Sequence, residues 1–98
     1  MKTGSVYILL CSDKTLYTGV TSGLEERLYQ HHEGLFPGYT HSRRPLELLW
    51  HSEELEIQDA ILLEKQLKGW TKAKKMAFIS GDIPMLVELS LANRDRRK

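Results

Sequence analysis

Apolar positions open the chain as a continuous run. Val6-Tyr7-Ile8-Leu9-Leu10-Cys11 is rich in strand formers, Ser12-Asp13-Lys14-Thr15 is turn-like, and Leu16-Tyr17-Thr18-Gly19-Val20 resumes the strand pattern. This pattern predicts a β-hairpin. Thr21-Ser22-Gly23 breaks it and offers helix caps. With Ser22 at the N-cap, Glu25 takes the N3 position of a capping box. Leu24 to His32 predicts a helix that Gly34 stops. Leu35 to Arg44 contains Pro37, Gly38 and Ser42 and predicts a loop, which Pro45 ends. Leu46 to His51 predicts a third strand with Leu46, Leu48 and Trp50 on one face. Glu54 to Trp70 predicts the strongest helix, because Ile57, Ala60, Ile61, Leu63 and Leu67 fall at helical spacing. Thr71 caps a short helix through Ile79, and Ser80-Gly81 ends it. Asp82 caps a last helix with Pro84 in its first turn, where a missing N–H does no harm. Arg94 to Lys98 reads as a frayed, disordered basic tail.

The resulting order, β-β-α-β-α-α-α, predicts an α/β chain of the α+β kind. Its core is a three-stranded, mostly antiparallel sheet flanked by helices. The chain of 98 residues suits one domain, over residues 1–93. Hydrophobic residues make up 41% and charged residues 28%, a globular balance that argues against disorder. Cys11 is the single cysteine, so no internal disulfide forms, which suits a reducing compartment. The apolar run from Val6 is too short to span a membrane, and no signal-peptide pattern follows it. The expectation is a soluble cytoplasmic protein. The net charge of +1 conceals an asymmetry: residues 1–63 carry five Lys/Arg against nine Asp/Glu, and residues 64–98 carry nine against four. A basic half can supply a phosphate-binding surface or simply a solvated helix face.

Several residues stand out chemically, each beside a plainer explanation. Tyr7 and Tyr17 lie on the two hairpin strands, where tyrosine commonly serves packing. Gly19 is less ordinary, because a strand glycine often marks a close backbone approach. Arg27 and His31 lie one turn apart on the first helix and share a face. An exposed polar face, with Glu26 and Gln30 beside them, explains them equally. Glu64 falls on or beside the apolar stripe of the strongest helix, where a carboxylate needs compensation. Lys68, four residues on, is one partner. A divalent cation is the other, since Mg²⁺ is often held by one or two carboxylates plus substrate phosphate. Tyr39-Thr40-His41-Ser42-Arg43-Arg44 mixes an aromatic, hydroxyls and arginines, which suits contact with nucleic acid or an ordinary polar loop. Lys65, Lys68, Lys72, Lys74 and Lys75 form either a phosphate-facing ridge or a solvated one. The histidines lack zinc-site spacing. There is no P-loop, dinucleotide fingerprint or nucleophile elbow, so no small-molecule cofactor is expected.

Taken in order, these residues resemble the GIY-YIG nuclease family. The first motif appears as Ser5-Val6-Tyr7 and the second as Tyr17-Thr18-Gly19. Arg27 follows on the helix, His31 one turn later, and Glu64 stands within Leu62-Leu63-Glu64-Lys65. Gln30-His31, Tyr39-Thr40, Arg43-Arg44-Pro45-Leu46-Glu47 and Ala73-Lys74-Lys75 are similar to the small stand-alone bacterial members. The resemblance covers residues 5–80. It implies a divalent-metal-dependent endonuclease that hydrolyses phosphodiester bonds in DNA, with structure-selective cutting and a setting in DNA repair. Glu64 would hold one Mg²⁺ or Mn²⁺, and Arg27 would stabilise phosphoryl charge. Tyr17, helped or replaced by Tyr7, would orient and deprotonate water, with His31 as the proton relay. Gly19 would be structural at the site. Tyr39, Thr40, Arg43, Arg44, Lys68, Lys72 and Lys75 would contact nucleic acid. No membrane partner is implied, and nothing in the chain sets an oligomeric state.

Val20 stands where several members carry a lysine, and no asparagine takes the late site position. Both favour an alternative, a nucleic-acid-binding module that keeps the fold without the chemistry. A non-catalytic protein adaptor docking through the basic C-terminal helices is the third. One geometric expectation concerns the hairpin itself. Two tyrosines serving one site must share a face, and opposite residues of an antiparallel pair do so. A three-residue loop, Asp13-Lys14-Thr15, pairs Cys11 with Tyr17 and meets that condition. A two-residue turn does not.

Overall fold

In the computed structural model, which describes residues 2–96 and side chains as far as Leu91, strand β1 (Thr3–Leu10) is the spine of an antiparallel sheet. β2 (Leu16–Thr21) pairs along one edge of β1, and β3 (Glu47–His51) pairs along the other. A fourth strand, β4 (Leu55–Glu56), meets the start of β1 at Thr3 and Gly4. The helices are α1 (Leu24–His32), α2 (Ile57–Lys68), α3 (Lys72–Ser80) and α4 (Ile83–Arg96). The fold is therefore α+β, in the order β-β-α-β-β-α-α-α. Residues 1–68 form one compact unit and residues 69–98 a second.

The hairpin closes by a three-residue loop, Ser12-Asp13-Lys14, one position earlier than the spacing suggests. Cys11 and Thr15 flank it: Cys11 N–H donates to the Thr15 carbonyl, and Lys14 N–H donates back to the Cys11 carbonyl, both at 2.9 Å. Lys14 takes the left-handed position at φ 72°, as such loops require at their third residue. The register pairs Tyr7 with Gly19 and Leu9 with Tyr17. It differs by two residues from the expected pairing, so its parity is the same. Tyr7 and Tyr17 share a face.

Several boundaries depart from expectation. The helix N-cap is Gly23 rather than Ser22, and no side chain caps it. The Thr21 hydroxyl instead accepts from Gly23 N–H at 3.1 Å, which draws the turn one residue later and removes the Ser22–Glu25 capping box. Leu55 and Glu56 form β4 instead of the first turn of the long helix, because β1 offers them an unpaired edge. A bulge between Ile8 and Leu9 pairs Ile8 with Trp50 and Leu9 with Leu48, so Leu48 and Trp50 point to opposite faces rather than one. Of the expected basic tail, residues 94–96 continue α4, and residues 97 and 98 lie outside the described residues. The last two helices begin as expected: Thr71 accepts from Lys74 N–H at 3.2 Å, and Asp82 accepts from Met85 N–H at 3.1 Å.

The face of β1 carrying Tyr7 and Leu9 holds an apolar cluster with Cys11 and Leu46. Tyr17, Leu24, Leu28 and Leu48 pack against it. α1 joins through Leu24 and Leu28, and the next position of that stripe is His31, which is buried. α2 packs on β1 and β2. Its first turn lies against Gly4, where a Cβ would come within 2.8 Å of Ile57 Cδ1. Gly19 has a sharper reason to be glycine. A Cβ there would lie 2.5 Å from both Cζ and the hydroxyl oxygen of Tyr7, a separation that backbone and a buried ring cannot relieve cheaply.

Gly19→Ala is therefore expected to destabilise the fold by about 1–3 kcal/mol through overpacking. Denaturant unfolding measures this. In combination with Tyr7→Leu the two losses should fall short of additivity, because the smaller side chain removes the clash.

Candidate active site

A buried phenol needs a polar partner, and Tyr7 finds one in His31. Tyr7 is 0% exposed, and its hydroxyl oxygen lies 2.7 Å from His31 Nε2. The other ring nitrogen, Nδ1, lies 2.9 Å from the Thr40 hydroxyl. Strand, helix and loop thus meet in one chain of contacts. Tyr17 stands beside it, its ring centroid 6.3 Å from that of Tyr7 and 5.5 Å from that of His31. Unlike Tyr7, Tyr17 is only half-buried, so its ring lies at the edge of the cluster. Phe36, from the loop after α1, packs on His31 at 4.5 Å, and the Arg27 guanidinium lies over the Phe36 ring at 4.5 Å. Arg27 also lines an open polar cavity of about 310 Å³ with Thr21, Ser22, Gly23, Glu26 and Gln30.

This environment sets the protonation states. Burial pushes the Tyr7 phenol up to about 12, with Tyr17 adding to the rise and Arg27 opposing it. Burial, then the charges of Arg27 and His32, push His31 down to about 4. At neutral pH the site therefore holds a protonated Tyr7 and an uncharged imidazole beside a permanent guanidinium.

A second network pins the loop that carries Thr40. Arg43 Nε donates to Asp13 Oδ2 at 2.9 Å, and an Arg43 terminal nitrogen donates to the Tyr39 carbonyl at 2.8 Å. The guanidinium lies 3.8 Å from the centroid of the Tyr39 ring. The Tyr39 hydroxyl donates to Thr15 Oγ1 at 2.7 Å, and the Thr15 hydroxyl donates to Asp13 Oδ1 at 2.6 Å. Hydrogen bonds from Thr15, then Arg43, hold the Asp13 carboxyl below the usual carboxylate range. Tyr39 stacks on Tyr17 with centroids 6.1 Å apart and rings inclined by 21°. Adjacent loop residues therefore reach the two halves of the cluster, Tyr39 on Tyr17 and Thr40 on His31.

Of the residues singled out from sequence, Tyr7, Tyr17, Gly19, Arg27, His31, Tyr39 and Thr40 come together here. Thr40 corrects an expectation: at 1% exposure it sits behind His31, not on a surface that nucleic acid reaches. Arg43 is committed to Asp13 and Tyr39. Arg44 sits at the end of α1, where its Nε donates to the His41 carbonyl at 3.1 Å. Lys75 is buried, which does not suit a phosphate contact, and Lys72 belongs to the second unit. Glu64 lies on the buried line of α2 between Ala60 and Leu67, its side chain 13% exposed. Its partner among the described residues is Lys68, at 3.4 Å. No group of three or more His, Cys, Asp or Glu that could hold a metal occurs among the described residues. A metal held by Glu64 would draw most of its other ligands from water and substrate phosphate, as Mg²⁺ commonly does. Sequence reasoning missed Phe36, Thr15 and Asp13. Phe36 had one signal, an apolar aromatic beside Leu35 in an otherwise polar loop; the other two looked like ordinary turn residues.

Comparison with known proteins identifies the family and the fold. Residues 3–77 match the GIY-YIG catalytic domain. A UPF0213 protein of Syntrophus aciditrophicus is 44% identical over 81 residues, spanning 81% of this chain and 92% of that one. A UPF0213 protein of Bacillus pumilus is 40% identical over 73 residues, 74% of each chain. The solution NMR structure of a UPF0213 protein from Bacillus halodurans is similar with a TM-score of 0.53 and 30% identity, covering 80% of this chain and 83% of that one. No helix among the described residues is long and apolar enough to cross a membrane.

The buried imidazole predicts an acid-sensitive fold. The unfolded chain takes up a proton at His31 near the ordinary 6.5, whereas the folded chain does so only near 4. In that window the unfolded state binds more protons. Stability is then full above about 6.5 and falls as pH drops toward 4, by on the order of 2–3 kcal/mol. Denaturant unfolding at pH 7 and pH 4.5 should show this loss, and His31→Gln should remove that part of the pH dependence.

Proposed function

Because the chain belongs to the GIY-YIG family, we propose that it is a divalent-metal-dependent endonuclease that hydrolyses phosphodiester bonds in DNA, with branched or flapped duplexes as its preferred substrates. The observation that carries this reading is the Tyr7–His31 hydrogen bond of 2.7 Å, set beside a partly exposed Tyr17 and Arg27. A histidine in the apolar stripe of α1 answers the buried Tyr7 hydroxyl, and in doing so it fixes that hydroxyl beside Tyr17.

In this reading Tyr17 orients and deprotonates the attacking water. A phenol is seldom ionised at neutral pH, so to act as a base it needs neighbours that stabilise its anion. Tyr7 and Arg27 are those neighbours. The phenol of Tyr7 stays protonated, so it serves as a donor toward Tyr17 rather than as a base. His31 acts through Tyr7, which refines its role from a direct relay to the group that anchors the donor. Arg27 faces the phosphoryl oxygens from the polar cavity it lines. Glu64 would hold the metal ion, which when bound supplies charge neutralisation at the scissile phosphate and leaving oxygen.

One observation favours the alternative of a nucleic-acid-binding module without hydrolysis. Glu64 is already paired with Lys68, and binding metal requires that pair to yield.

A panel of duplex, flap, branched and single-stranded DNA, tested with Mg²⁺ and Mn²⁺, separates the two. Nicking that chelation abolishes is expected. Glu64→Ala and Arg27→Ala should each lower the cleavage rate by about 100-fold or more, and Tyr17→Phe should do likewise. Salt-sensitive binding without cleavage of any substrate would establish the binding module instead.

A further inference from the structure

The direction of the hydrogen bonds through Tyr7, His31 and Thr40 follows from counting donors. A neutral imidazole has one N–H and one lone-pair nitrogen. Two arrangements therefore satisfy the distances of 2.7 Å and 2.9 Å on either side of His31. In the first, Nδ1–H donates to Thr40 and Nε2 accepts from Tyr7. In the second, the Thr40 hydroxyl donates to Nδ1, and Nε2–H donates to the Tyr7 oxygen.

Thr40 decides between them. It is 1% exposed, and among the described residues its hydroxyl meets no polar atom other than His31 Nδ1. In the first arrangement its own proton would be buried without an acceptor, a substantial penalty. In the second, every donor on Thr40 and His31 is used. The Tyr7 oxygen then accepts from His31, and Arg27 is a further group that bears on it. The Tyr7 proton is left over, and the remaining polar group bearing on Tyr7 is the Tyr17 hydroxyl.

We propose that Thr40 is a positioning residue that fixes His31 as its Nε2–H tautomer and thereby turns the Tyr7 hydroxyl proton toward Tyr17. The donors then point one way, from Thr40 to His31 and from His31 to Tyr7, which leaves the Tyr7 proton for the neighbouring Tyr17, its ring centroid 6.3 Å away. The loop network holds the start of this chain in place. Arg43 N–H donates to the Thr40 carbonyl at 3.0 Å, and the Arg43 side chain is tied to Asp13 and Tyr39. The functional consequence rests on the nuclease reading. A Tyr17 oxygen that accepts a hydrogen bond from Tyr7 is stabilised as the phenolate, the form that takes a proton from water. The tautomer assignment itself does not rest on that reading.

Nitrogen-15 NMR of the His31 ring in the full chain at neutral pH tests the proposal. A protonated Nε2 and an unprotonated, hydrogen-bonded Nδ1 are expected; a protonated Nδ1 would overturn it. Thr40→Ser should keep this pattern. Thr40→Val should shift the Nδ1 resonance to that of an unbonded ring nitrogen while leaving the aromatic circular dichroism in place. An unmoved Nδ1 resonance in a folded Thr40→Val protein would equally overturn the proposal. On DNA, Thr40→Val should lower kcat about two- to tenfold with KM unchanged, the scale of one lost hydrogen bond, and Thr40→Ser should restore it. Failure of wild type to cut any substrate would count against the nuclease reading alone, because the NMR result stands without it.

Discussion

A phenol buried at the centre of the middle strand constrains everything around it. Tyr7 has no solvent to satisfy its hydroxyl, so the fold must bring a polar partner to it. The partner is His31, placed by α1 at a position that an ordinary amphipathic helix would give to an aliphatic residue. Space for the ring comes from Gly19 on the neighbouring strand, where any side chain would collide with it. The hairpin loop, the glycine and the helix register therefore serve one hydrogen bond. Each would be an isolated oddity without it.

Around this bond the structure sorts its polar residues by protonation. Burial keeps Tyr7 protonated and His31 uncharged, and Arg27 reinforces the second effect. A site arranged this way has one half-buried phenol, Tyr17, backed by fixed donors and a permanent positive charge. The residues behind the site matter as much as those at its rim. The loop after α1 brings Tyr39 to one tyrosine and Thr40 to the histidine, and Arg43 and Asp13 hold that loop to the hairpin. An exposed ion pair of this kind adds little stability by itself. Its weight comes from being one member of a closed network with Thr15 and the Tyr39 ring.

Much of this was legible in the residues alone. The alternation of apolar runs, turn residues and caps predicted the hairpin, α1, the third strand and three later helices, because those signals are local. The requirement that Tyr7 and Tyr17 share a face predicted a loop of odd length, and Ser12-Asp13-Lys14 is one. The same residues set out the candidate site in order: two tyrosines, Gly19, Arg27, His31 and Glu64. Glu64 stood out because a carboxylate on an apolar stripe is anomalous at the level of spacing, and it does lie on the buried line of α2.

What only the tertiary structure decided depends on contacts between distant segments. β4 exists because Leu55 and Glu56 meet the unpaired start of β1, and two residues carry no periodicity to announce it. The β3 bulge, which splits Leu48 from Trp50, comes from pairing with β1. Thr40 looked like a surface hydroxyl and proved to be buried against His31, since nothing nearby in the chain says what a loop residue will cover. Asp13 and Thr15 looked like turn formers, and their further task appears only when Arg43 and Tyr39 arrive. The sequence by itself determined which residues could do chemistry and on which elements they ride. Their partnership was settled by packing: a buried hydroxyl must be matched, and only the folded chain brings the match within reach.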